Sequence, residues 1–177
     1  MKLAALILAS LCVAVSAGPA PATDSADAPA TDGVAVLKSC LEGKSNRKEE
    51  ATCIHAVSDP CQAASDQTTL SLSRCQLDEI AAWDSLLNEF WPEVLALARQ
   101  LDETYKMDGI TYSEDGASVK IAREAQRAWI AFRDADCAWT YQRWLDGSIR
   151  VLMAGECQLD RTANRVLDFR DWVIRGE

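Results

Sequence analysis

Side-chain chemistry requires a nucleophile beside a base, a pair of converging acids, or a set of metal ligands, and this sequence is sparing with all three. It carries one histidine, His55, and seven cysteines. Nucleophilic catalysis pairs a nucleophile with a base, and the single imidazole lies close to Cys53, with no GxSxG, HExxH or phosphate-cradling glycine loop in the chain. There is no CxxC pair, so thiolate metal ligation has little support, and no metal or cofactor is expected. Carboxylates do occur as neighbours, in Asp134/Asp136, Glu114/Asp115 and Asp102/Glu103. Acid–base catalysis needs two such groups to converge with their pKa values pushed apart. Neighbouring acids on a helix more often form a solvated face, so no residue is expected to be catalytic.

The cysteines take their meaning from the N-terminus. Lys2, the apolar run Leu3–Val15 and the small residues Ser16 and Ala17 read as a signal peptide over residues 1–17, cut between Ala17 and Gly18. Cys12 lies inside that run, preceded by Leu11 where a lipoprotein cut needs Gly or Ala, and is expected to leave with it. The six cysteines that remain, an even number in an exported chain, read as three disulfides.

Two pairing schemes compete. In one, sequence neighbours pair as Cys40–Cys53, Cys61–Cys75 and Cys137–Cys157. In the other, Cys75–Cys137 and Cys61–Cys157 staple across helices. On one continuous helix Cys61 and Cys75 would stand ~21 Å apart, beyond disulfide reach. A helix start at Thr68/Thr69 instead lets residues 61–67 double back, and Gly147 and Gly155 give the chain similar freedom before Cys157. A turn centred near residue 111 would set Cys137 opposite about residue 85, leaving an axial offset of ~15 Å from Cys75. The local scheme is therefore preferred.

Charge and composition narrow the partners. The chain has 177 residues, 49% hydrophobic and 25% charged, with net charge −9, made one unit more negative if Lys2 is removed. That is a globular composition. It offers no excess of Lys and Arg to neutralise phosphates, so nucleic acid and anionic membrane are poor partners, while basic partners remain open. After the signal no stretch approaches membrane-span length.

The elements that must carry these residues are helices. Residues 18–33, rich in Ala, Pro, Thr and Asp, read as a flexible leader, and residues 34–60 as a small disulfide-pinned appendage. From the cap candidates Asp66, Thr68 and Thr69, apolar residues recur at gaps of mostly three and four from Leu72 through Trp83, Leu87 and Val94 to Leu101. Pro92 falls inside this stripe and predicts a kink near Asn88–Trp91, or two helices meeting there. Asp108-Gly109 and Asp115-Gly116 mark a turn over residues 106–117 whose acids do not match a calcium loop. Ser118 is placed to cap a second long helix with Ile121, Trp129, Phe132 and Trp139 on its apolar stripe, running to about Trp144. After Asp146-Gly147-Ser148 and a short apolar stretch, Gly155 and Cys157 introduce a last helix with Leu159, Ala163, Val166, Phe169 and Val173 in register. The fold class is all-α: two long antiparallel helices joined by a loop and closed by a C-terminal helix. Of six tryptophans, Trp83 and Trp129 read as core, leaving Trp91, Trp139, Trp144 and Trp172 as candidates for a binding surface.

The stretch Ala125-Gln126-Arg127-Ala128-Trp129-Ile130-x-Phe132-Arg133-Asp134-x-x-Cys137, with Trp83-Asp84-x-Leu86-Leu87-Asn88-x-Phe90 before it and Cys157 and Thr162-x-x-Arg165 after it, resembles the lysozyme-inhibitor LprI-like N-terminal family. The resemblance covers about residues 61–174, so the family-like domain is set at 61–177. It implies a small disulfide-linked helical domain of exported bacterial proteins, one branch of which is associated with inhibition of lysozyme. It brings no catalytic residues. Asn88 and Gln126, amides beside apolar positions, are expected to bridge the two long helices, because a buried amide must be hydrogen-bonded.

The functional expectation is an exported, periplasmic or secreted, non-catalytic binding protein. Its specific form is a lysozyme inhibitor, and its partner lysozyme or another basic protein. The alternatives are an envelope interaction module of unknown ligand and a carboxylate-based cell-wall hydrolase.

Overall fold

A 39-residue helix, α4 (Thr69–Met107), forms the spine of the molecule. It starts where Thr68 accepts the Ser71 N–H on its side-chain oxygen at 3.2 Å, satisfying one of the unpaired donors of the first turn. A computed structural model of the chain describes residues 32–109 and 116–176. The signal peptide, its cut between Ala17 and Gly18, the leader up to residue 31, and Glu114 and Asp115 lie outside the described residues. Among the described residues there are α-helices, one 3-10 turn and one π-helical turn, and no strand.

Before the spine come α1 (Gly33–Leu41), α2 (Arg47–Glu50), the 3-10 turn Ala51–Cys53 and α3 (Ser58–Ala64). After it come α5 (Ala117–Arg143), α6 (Arg150–Arg170) and the π-helical turn Asp171–Arg175. Asp32 caps α1, accepting the Ala35 N–H at 3.2 Å, so helix begins at the last residue assigned to the leader.

Helix α4 runs through Pro92 without a break, against the expectation of two helices meeting there. Pro92, Asn88 and Glu89 lie on the exposed face, so the Asn88 carbonyl that loses its partner faces water. Leu86 and Leu87 before the proline, and Val94 and Leu95 after it, are all buried. Burying each such side chain is worth about 1.5–3 kcal/mol, so the four together outweigh the ~3 kcal/mol that an interior proline costs.

The core lies where α4 meets α6 and the N-terminal helices. Trp83, Leu86 and Leu87 of α4 pack with Ala163, Val166, Leu167 and Phe169 of α6 and with Leu37, Leu41, Cys53 and Val57. The segment 34–60, expected as an appendage, thus contributes to the same core as the long helices. The last helix also starts earlier than expected: Arg150–Ala154 and the residues from Gly155 onward belong to one continuous α6, with Ile149 at its N-cap position. Gly155 sits inside this helix against α4, where a Cβ would stand 2.6 Å from Gln76 Oε1.

Three cysteine pairs link the elements locally. Cα–Cα separations are 5.8 Å for Cys40–Cys53, 5.7 Å for Cys61–Cys75 and 5.5 Å for Cys137–Cys157. Helix α3 doubles back along the first turns of α4, which brings Cys61 beside Cys75.

Two buried carboxylates order the N-terminal half. Glu79 takes the backbone N–H groups of His55 (2.7 Å), Val57 (3.2 Å) and Ser58 (2.6 Å), so α4 itself caps α3. Glu50 receives Arg170 Nε at 2.8 Å and Arg175 Nη2 at 3.0 Å, fastening α2 to the C-terminus. Burial opposes ionisation of Glu50, but the hydrogen bonds from Arg175 and Arg170 outweigh it and hold the carboxyl below its ordinary value.

Candidate binding site along α5

Helix α5 differs from its neighbours in how little of it is covered. Of its 27 residues only Gln126 and Cys137 are buried. Ile121 and Phe132 of the apolar stripe, expected to face the core, are exposed, Phe132 at 52% of full exposure, and Trp139, on the same stripe and a binding-surface candidate from the sequence, stands at 63%. The helical period was read correctly, but α6 takes the larger part of α4's surface and leaves α5 packed along one narrow edge.

The ends of that edge are pinned. Near the start, Asp102 of α4 accepts the Ser118 N–H at 2.9 Å and does the capping expected of Ser118; the N-cap position itself is Gly116, at φ +74°. Bonds from the Ser118 side chain and backbone hold the Asp102 carboxyl below its usual range. Near the other end, the Cys137–Cys157 bridge ties α5 to α6. In between, Arg165 of α6 donates from Nε to Gln126 Oε1 at 3.0 Å and stacks its guanidinium on Trp129, Phe169 and Trp172 at 4.9–5.5 Å from the ring centroids.

Two of the depressions beside α5 are lined by motif residues. Toward α4 lies a pocket of about 210 Å³ walled by Trp91 and Trp129 and completed by Asp84, Leu87, Asn88, Gln126, Ile130 and Arg133. All of its lining except Trp91 comes from the two family-like stretches, Leu87, Asn88, Gln126, Trp129 and Arg133 among them. The buried Gln126 Nε2, at its lining, has no hydrogen-bond partner among the described residues and is a donor for an incoming acceptor. Toward α6 lies a broader groove of about 800 Å³ in which Phe132 and Trp139 stand among Asp136, Glu156, Asp160 and Asp168 and the arginines Arg143, Arg161 and Arg165.

The remaining motif residues separate by role. Trp83 is fully buried in the core. Asn88 is exposed and donates to its own helix, to the Asp84 carbonyl at 2.9 Å and to Asp84 Oδ2 at 3.1 Å. It does not bridge to α5, and Gln126 reaches α6 rather than α4, so the expected amide bridge is absent. Asp134 is held by Arg133 Nε at 2.9 Å, whereas Asp136 is held by Arg161 Nη2 at 2.8 Å. Each acid has its own arginine, and the two do not form a shared acid–base pair.

Trp91, a binding-surface candidate from the sequence, lines this pocket, whereas Asp84 and Arg165 belong to the family-like stretches without a place on a surface that the sequence could give them. Trp91 and Asp84 stand on the turns flanking Leu87 and Asn88, so the clustering of the motif with a neighbouring Trp was the available signal. Among the described residues, metal-ligating atoms gather within 4.8 Å of one another in two places: Asp136/Cys137/Cys157, whose sulfurs are bonded to each other, and His55/Glu156/Asp160.

The scaffold is helical and disulfide-pinned, and it presents one sparsely buried helix with aromatic and charged side chains along it. The chain belongs to the lysozyme inhibitor LprI family, whose sequence model matches residues 61–169. It is also similar to an uncharacterised protein of Rhizobium meliloti (strain 1021), 25% identical over 148 residues, covering 84% of this chain and 97% of that protein. No solved structure matches it. The match with the family model begins at Cys61, so α1, α2 and most of the loop carrying His55 fall outside it. Among the described residues no helix is long and apolar enough to cross a membrane.

Proposed function

We propose that this protein is an exported, non-catalytic inhibitor that binds lysozyme through the outer face of α5 and its two flanking depressions. Membership of the lysozyme inhibitor LprI family carries the reading. The bare α5 surface supports it, because exposed Phe132 and Trp139 are the large aromatic anchors that interfaces favour. The net charge of −9 adds long-range attraction to a basic enzyme and accelerates encounter, an effect that salt weakens. Three cysteine pairs at disulfide distance support an oxidising compartment, periplasmic or extracellular. The layout that goes with this reading is a signal peptide at 1–17, cut between Ala17 and Gly18, a short leader, and a helical unit carrying the family domain from residue 61.

The test is lysis of cell-wall substrate by lysozyme in the presence of the oxidised protein and of a Phe132→Ala/Trp139→Ala variant. Inhibition by the first and its loss in the second is the expected result. An envelope interaction module of different specificity would leave lysis untouched while keeping the same exposed helix.

A further inference from the structure

We propose that His55, Glu156 and Asp160 form a binding site for a late first-row divalent cation, with Zn²⁺ as the probe of that class. Glu156 and Asp160 also line the groove between α5 and α6, so the site adjoins the proposed lysozyme-binding surface but does not rest on that reading. His55 Nε2 lies 3.2 Å from Glu156 Oε1, and one ligand atom from each of the three residues falls within 4.8 Å of the others. Glu156 and Asp160 are four residues apart on α6, so their carboxylates project from one face.

Two ligand atoms held ~2.1 Å from a tetrahedral Zn²⁺ are ~3.4 Å apart. The His55–Glu156 separation is already at that spacing, and Asp160 is exposed, so a rotamer change suffices to bring it in. Two carboxylates and a neutral imidazole match a dication in charge. The imidazole favours zinc and its neighbours in the first transition row over calcium and magnesium. Three protein ligands leave one tetrahedral position open to water.

The surroundings hold these ligands in place. His55 has φ +79°, left-handed backbone that a non-glycine residue rarely adopts. That conformation is fixed from below: its N–H bonds the buried Glu79 at 2.7 Å, and Cys53 two residues earlier is bridged to Cys40. Glu156 is oriented through its other oxygen, Oε2, which accepts from Gln76 Nε2 at 3.1 Å. Gln76 is buried and also bonds the Leu152 carbonyl at 3.3 Å, and Gly155 gives its amide room. Such outer hydrogen bonds orient metal ligands and set their affinity.

The experiment titrates metal-stripped, disulfide-bonded protein with Zn²⁺ by calorimetry and with Co²⁺ by visible absorption. The proposal predicts one equivalent of Zn²⁺, a Co²⁺ spectrum with an imidazole ligand, and a melting temperature that rises with Zn²⁺. His55→Gln should weaken Zn²⁺ by more than the roughly tenfold typical of losing an outer-shell partner, with its metal-free melting temperature and helical signal unchanged. Should His55→Gln fold poorly, Asp160→Asn at an exposed position takes its place, with the same loss expected. Absence of Zn²⁺ binding at millimolar metal, equal binding by wild type and variant, or Ca²⁺ binding as tight as Zn²⁺ would each overturn it.

Discussion

The Trp83 indole N–H donates to Glu79 Oε1 at 3.0 Å, one helical turn away on α4, with both side chains fully buried. That carboxylate oxygen also takes the His55 N–H, and its partner oxygen takes those of Val57 and Ser58. One side chain thus satisfies four donors that have no water to turn to. Replacing it by alanine orphans all four, and charge-assisted bonds of this kind are worth about 1.5–3 kcal/mol each in isolation. Glu79→Ala is predicted to lower stability by at least about 3 kcal/mol, read from equilibrium urea unfolding, with Glu79→Gln intermediate because it retains one acceptor oxygen.

Glu50 gives the fold a defined acid sensitivity. Its carboxyl titrates below the ordinary 4.5 in the folded protein, because bonds from Arg175 and Arg170 outweigh the burial that opposes its charge. On acidification the unfolded chain takes up its proton first. The stabilisation is therefore complete above the unfolded value and is lost as pH falls through the folded one. The urea midpoint should decline below about pH 4.5 in the wild type. Glu50→Gln should be less stable at neutral pH by about 1.5–3 kcal/mol, since it removes the carboxylate charge that pairs with the partly buried Arg170 and Arg175, and its acid limb should be flatter.

Much of the architecture was legible in the sequence. Spacings of three and four located α4, α5 and the later part of α6, and Thr68 marked the start of the spine. What the sequence did not show was which face each stripe would meet. Ile121, Phe132 and Trp139 keep the period of a core helix, yet α6 occupies the surface of α4 that they were expected to cover. Pro92 did not split the helix in two, because its cost depends on whether the freed carbonyl faces water, a property of packing. The gathering of Leu87, Asn88, Gln126, Trp129 and Arg133 around one pocket was legible as a motif without a geometry. His55 met Glu156 and Asp160 only in three dimensions, although the four-residue spacing of the two acids was visible.

Helix α5 depends on its covalent tie more than the other long helices do. With Gln126 and Cys137 its only buried residues, it has little core contact to hold it. Replacing Cys137 and Cys157 together by serine opens a 20-residue loop and is predicted to cost about 3 kcal/mol. Hydrogen exchange should then rise first and most along residues 117–143, ahead of the buried face of α4. Uniform loss of protection across all helices would contradict this picture.

Phe132 and Trp139 should matter for binding and not for folding. Both project from an exposed helix, so Phe132→Ala and Trp139→Ala are predicted to change stability by within about 0.5 kcal/mol by urea unfolding. If they anchor a partner, each loses affinity by about 2 kcal/mol, roughly thirtyfold. Calorimetric titration against lysozyme reads that difference directly.

The central claim, that this chain inhibits lysozyme through α5, is tested most directly by the rate at which lysozyme clears a bacterial cell-wall suspension as oxidised protein is added. The account predicts a concentration-dependent fall in rate with wild type, weakened by added salt and largely absent with the Phe132→Ala/Trp139→Ala variant. Undiminished clearing at large molar excess, against several lysozyme types, would contradict it.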